Sequence, residues 1–70
     1  MSYPLRIEIE LLEDGRYLAV ATNLPGTHAE GDTIGEAIEN LHDIARITIE
    51  LCREKGLPLP EEFADLPDSR

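Results

Sequence analysis

This chain has little with which to staple itself together. Its one cysteine, Cys52, cannot form an intrachain disulfide, and its two histidines, His28 and His42, build no Cys/His cluster with zinc-ligand spacing. A single core in a chain of 70 residues rarely supplies more than about 3–5 kcal/mol. With disulfide and metal both removed, self-association is the remaining stabiliser, so a homodimer or larger homo-oligomer is expected. Tryptophan is absent, and two tyrosines and one phenylalanine (Tyr3, Tyr17, Phe63) are too few for a base-stacking platform. Basic residues are scarce as well: six Lys plus Arg stand against fifteen Asp plus Glu, a formal charge of −9. Nucleic acids and anionic membranes both call for a basic footprint, so neither is expected as a direct ligand. No stretch approaches the roughly 18 apolar residues of a membrane span. The amino terminus, Met1 to Arg6, has no apolar signal-peptide core, and the expectation is a cytoplasmic protein.

What is present reads as one α+β unit. Leu5, Ile7, Ile9 and Leu11 alternate with Arg6, Glu8 and Glu10, the period of a strand buried on one face. Asp14-Gly15 signals a hairpin, since a tight turn there needs positive φ. A two-residue loop centred on this pair would set Leu18 opposite Leu11 and Val20 opposite Ile9, gathering the apolar residues on one face. Tyr17 to Thr22 is the returning strand, Asn23-Leu24-Pro25-Gly26 a turn, and Thr27 to Gly31 a short third strand. Thr33 with Glu36 three residues on makes a capping box. A helix is therefore predicted from Ile34 to Lys55, closed by Arg53 and Lys55 in the last turn, Gly56, and then Pro58.

At 100° per residue, Ile34, Ala37, Ile38, Leu41, Ala45, Thr48 and Cys52 form the stripe expected to lie on the sheet. Ile44, Ile47 and Leu51 form a second apolar stripe beside it. It packs either under the C-terminal tail or against another molecule, and an oligomer interface is the favoured reading. The remaining face, with Asp43, Arg46, Glu50 and Arg53 at three- and four-residue spacings, reads as a solvated charge ladder. After Gly56 the chain is proline-punctuated and then acidic. The division is thus a domain over 1–60 and an acidic tail over 61–70, with at most a short fourth strand near the C-terminus.

Few residue patterns suggest chemistry. Glu8 and Glu10, with Asp32 or Glu36 nearby, are the only candidates for a two-metal nuclease centre, but carboxylates on an open strand face are ordinarily just solvated. Glu39 and His42 have the Glu-x-x-His spacing of di-iron bundles, which need two such pairs; this chain has one. His28 has no nucleophile paired with it by any local motif, and Cys52 reads as a small apolar group of the helix. The glycines near Pro25 and Gly31 are too few for a phosphate loop. No cofactor, metal or catalytic residue is expected.

The order of elements, together with Leu24-Pro25-Gly26, Ala29, Gly31-Asp32-Thr33, Glu36-Ala37, Leu41 and the later Gly56 followed by Pro58 and Pro60, resembles the HicB antitoxin family, of the UPF0150 type, over residues 5–60. The resemblance implies a partial RNase H-like domain of β-β-β-α order, a three-stranded antiparallel sheet with one long helix on one face. It also implies neutralisation of a small basic ribonuclease toxin of the HicA type. Some members carry a C-terminal DNA-binding segment, for which this chain has no counterpart, so no direct nucleic-acid binding is expected of it. Glu8, Glu10 and Tyr17 on the outer sheet face and Glu61, Glu62 and Asp65 in the tail are the candidate partner contacts, with Ile44, Ile47 and Leu51 for self-association. The alternatives are a stand-alone HicB-like binding protein without a toxin and a weak metal-dependent nuclease.

Overall fold

The computed structural model describes residues 4–64. Strands β1 (Ile7–Leu11), β2 (Tyr17–Ala21) and β3 (His28–Gly31) form an antiparallel sheet in the order β1-β2-β3. A 22-residue helix, α1 (Ile34–Lys55), lies on one face, and a short helix, α2 (Glu61–Ala64), follows. The expected α+β architecture is the one observed. A fourth strand is not seen among the described residues.

The helix starts and stops where the sequence places it. Thr33 Oγ1 accepts from Glu36 N at 3.0 Å, and the Glu36 carboxylate reaches back to accept from Asp32 N at 2.9 Å. The reciprocal half of the capping box thus falls one residue earlier than the usual pattern. At the other end Gly56 takes φ 69°, its N–H donates to Arg53 O, and Leu57 N donates to Cys52 O. Those two bonds make a Schellman motif that satisfies the terminal carbonyls.

The hairpin differs from expectation. Leu12 N donates to Arg16 O at 2.7 Å and Gly15 N to Leu12 O at 3.0 Å, so the loop is Glu13-Asp14-Gly15, three residues, with Gly15 at φ 87°. This is a turn followed by a glycine bulge. It pairs Leu11 with Tyr17, Ile9 with Ala19 and Ile7 with Ala21. Leu18 and Val20 therefore do not join Leu11 and Ile9; they lie on the opposite face with Glu8 and Glu10. Tyr17, expected on the outer face, is on the helix side, packed against the core. The physical reason is size. Ala19, Ala21 and Ala29 meet Ala37 and Ala45 of the helix, all buried, and small residues let helix and sheet backbones approach closely. Leu18 and Val20 would hold them apart.

Gly31 shows how close that approach is. A Cβ on it would stand 2.9 Å from Ala37 Cα and closer still to Ala37 N. Leu41, Ile49 and Phe63 are the largest fully buried side chains and fill the remaining core with Leu24. Ile49 lay in neither stripe of the sequence reading, whereas Ile34 from the inner stripe is 46% exposed and Ile38, Thr48 and Cys52 are only half-buried. The buried line is Ala37, Leu41, Ala45, Ile49, at successive steps of four. Phe63, in the segment read as an acidic tail, is wholly buried, and Arg53 Nη2 donates to its carbonyl at 3.2 Å.

Candidate functional site

Alternation along each strand assigns two faces to the sheet. The helix side holds Ile7, Ile9, Leu11, Tyr17, Ala19, Ala21 and Ala29. The outer face holds two cross-strand rows, Glu8–Val20–His28 and Glu10–Leu18–Glu30. No element packs over these rows among the described residues, because α1 and α2 both join the core on the other side.

The outer face has an apolar middle and an acidic rim. Leu18 and Val20, half-buried by their neighbours, run down its centre, while Glu8, Glu10, Glu30 and His28 around them are exposed. Between Leu18 and β3 lies a half-open depression of ≈ 300 Å³ lined by Leu18, His28, Ala29 and Glu30. One cation holds the rim in place: Arg16 Nη1 donates to Glu30 Oε1 and its Nε to Asp32 Oδ1, each at 3.0 Å. At 41% exposure of the arginine side chain this pair is screened, so its role is to orient the two carboxylates rather than to stabilise the fold.

The expected contact residues divide accordingly. Glu8 and Glu10 are on the outer face, and Tyr17 is behind it. Glu61 is exposed on α2, whose Phe63 is in the core, so it stands on the helix side of the sheet. The Glu62 side chain and Asp65 lie outside the described residues. Leu18, Val20 and Glu30 were missed, since the expected register turned the first two inward. Ile44, Ile47 and Leu51 are exposed at 39%, 60% and 45%, an apolar stripe that nothing covers among the described residues.

The arrangement does little to support metal chemistry. Asp32 is engaged by Arg16, Glu36 caps the helix, and Glu8 and Glu10 sit on the far strand. Among the described residues no three His, Cys, Asp or Glu side chains come together as a metal set, and no helix is long and apolar enough to cross a membrane.

Fold and surface together describe a small acidic α+β module with one sheet face open among the described residues. The chain belongs to the UPF0150 family. It is 38% identical over 61 residues to the UPF0150 protein ssr1765 of Synechocystis sp., an alignment covering 87% of this chain and 75% of that protein. It is likewise 38% identical over 61 residues to the UPF0150 protein ssl0738 of the same organism, covering 83% of this chain and 85% of the relative. No family model matches the chain, and no solved structure matches it significantly.

Proposed function

We propose that this chain is an antitoxin-like binding module that occludes a small basic ribonuclease of the HicA type, and that it acts by contact rather than by catalysis. The observation that carries the reading is the open outer face, where Leu18 and Val20 form an apolar centre framed by Glu8, Glu10 and Glu30. Buried apolar anchors inside a polar rim are the anatomy of a protein interface. A net charge of −9 complements a basic partner and speeds its encounter. Membership of UPF0150, to which HicB-like antitoxins belong, supports the same reading.

The test is direct. The chain is mixed with a purified HicA-type toxin, or with a basic protein encoded beside its gene, and both calorimetric affinity and inhibition of RNA cleavage are measured. Inhibition at stoichiometric concentrations is expected, with Leu18→Lys weakening binding at least tenfold because it places a cation against a basic partner. Absence of binding to such a partner sinks the reading. Binding that Leu18→Lys and Val20→Lys leave untouched would move the contact to another surface.

A further inference from the structure

The two edges of the sheet are not alike. In β3 the backbone groups of Thr27, Ala29 and Gly31 face β2, as Ala21 N donating to Thr27 O shows, so those of His28 and Glu30 point outward. Helix side chains close this edge in part: Asn40 Nδ2 donates to Glu30 O at 2.9 Å, and Glu36 Oε1 takes Asp32 N at 2.9 Å. In β1 the alternation is fixed by Thr22 N donating to Arg6 O at 2.8 Å and Leu12 N to Arg16 O at 2.7 Å. The N–H and C=O of Ile7, Ile9 and Leu11 consequently point away from the sheet. Among the described residues nothing pairs with them. The helix lies over β2 and β3, which leaves Ile9 38% and Leu11 64% exposed on the helix side of β1. A bare apolar edge of this kind is one that proteins normally pair or protect.

We propose that β1 pairs with β1 of a second copy, antiparallel about a two-fold axis, joining two three-stranded sheets into one. Charge and the covering of the exposed Leu11 together select the register. With Ile7 opposite Ile9 of the second copy and Leu5 opposite Leu11, the outward backbone groups of both strands face each other. On the helix side the exposed Leu11 then covers the second copy's Leu5. On the outer face Arg6 stands opposite Glu10 of the second copy, twice by symmetry, and like charges meet only at the axis, where Glu8 opposes Glu8. Placing Ile9 on the axis instead sets Glu8 against Glu10 twice and leaves Arg6 without a carboxylate, an arrangement that opposed like charges disfavour. Placing Ile7 on the axis also sets Arg6 against Glu8 twice, but it moves Leu11 opposite position 3, so no described residue of the second copy covers it.

The helix stripe is the rival surface. On the helical wheel Asp43, Glu50 and Glu54 line the solvent side of Ile44, Ile47 and Leu51. A two-fold helix contact would bring those carboxylates toward their own copies, so the stripe is less self-complementary than β1.

Sedimentation or light scattering on the purified chain at micromolar concentration should give twice the 7.8 kDa chain mass. Arg6→Glu should weaken the dimer at least tenfold, and Arg6→Glu/Glu10→Arg should restore it, because the swap rebuilds the cross-axis pairs. Both positions are exposed on the outer face, and circular dichroism checks that each variant is folded. Ile47→Glu should leave the dimer intact, and the amides of Ile7, Ile9 and Leu11 should be protected from hydrogen exchange in it. A monomeric unsubstituted chain overturns the proposal. So does a dimer that Ile47→Glu dissociates and Arg6→Glu does not, or one in which those three amides exchange freely.

Discussion

At the scale of single residues, the family signature is made of folding residues. Leu24 is buried, and Pro25-Gly26 occupies a turn closed by Thr27 N donating to Leu24 O at 3.2 Å, with Gly26 at φ 80°. Ala29 and Leu41 are core, Thr33 and Glu36 cap the helix, and Gly31 and Ala37 touch across the helix–sheet contact. A resemblance resting on these residues therefore carries the fold, whereas the proposed binding face rests on other residues, Leu18, Val20 and Glu30. Gly31→Ala forces a methyl into backbone that has no flexible end to move, and overpacking of that kind costs about 1–3 kcal/mol. Urea denaturation reads the loss; an unchanged midpoint would mean that the helix is not seated as described. Thr33→Ala removes one capping bond and should cost about 1 kcal/mol. Equal stability in that variant would place the helix start elsewhere.

At the scale of elements, α1 was legible at both ends because its signals are local: a cap, a basic last turn, a glycine and a proline each act on their immediate neighbours. The rotation of the helix was not. Its apolar residues span a wide arc, and which of them face the sheet depends on where small side chains permit close approach. Ile49 was overlooked for that reason and Ile34 overestimated. The hairpin failed similarly. Asp14-Gly15 marks a turn, but two- and three-residue loops share that pair, and burial of large residues was a misleading guide where alanines make the contact. The C-terminal segment gives a further test. Phe63 belongs to a four-residue helix yet is wholly buried in the core. Phe63→Ala should cost about 3–5 kcal/mol, as expected for emptying an aromatic site. Thermal unfolding within a degree or two of the parent would show that α2 contributes nothing to the core.

At the scale of the whole molecule, charge governs behaviour more than any single pair does. With a net −9, association with a basic partner should slow and weaken as salt rises from about 0.05 to 0.5 M, where the screening length falls below about 10 Å. Binding kinetics by surface plasmon resonance across that range supply the measurement; a salt-independent association rate would remove the electrostatic component. The carboxylates weighed for a nuclease centre are dispersed or already engaged. Alanine at Glu8, Glu10 and Asp32 together should leave RNA cleavage by the purified chain at background, with or without Mg²⁺. Metal-dependent cleavage lost in that triple variant would replace the binding reading with an enzymatic one.

The sequence by itself determined the class of fold, the order of strands and helix, both helix ends and the acidic character of the surface. Each follows from short-range periodicity, capping chemistry or a simple count of charges. Only the tertiary structure decided which sheet face is open, since a one-residue change of register exchanges every side chain between core and solvent. It also decided which edge is guarded, because Asn40 and Glu36 reach β3 and Asp32 only once the helix has been laid across the sheet. The candidate binding face and the strand edge left unpaired among the described residues are both consequences of that placement.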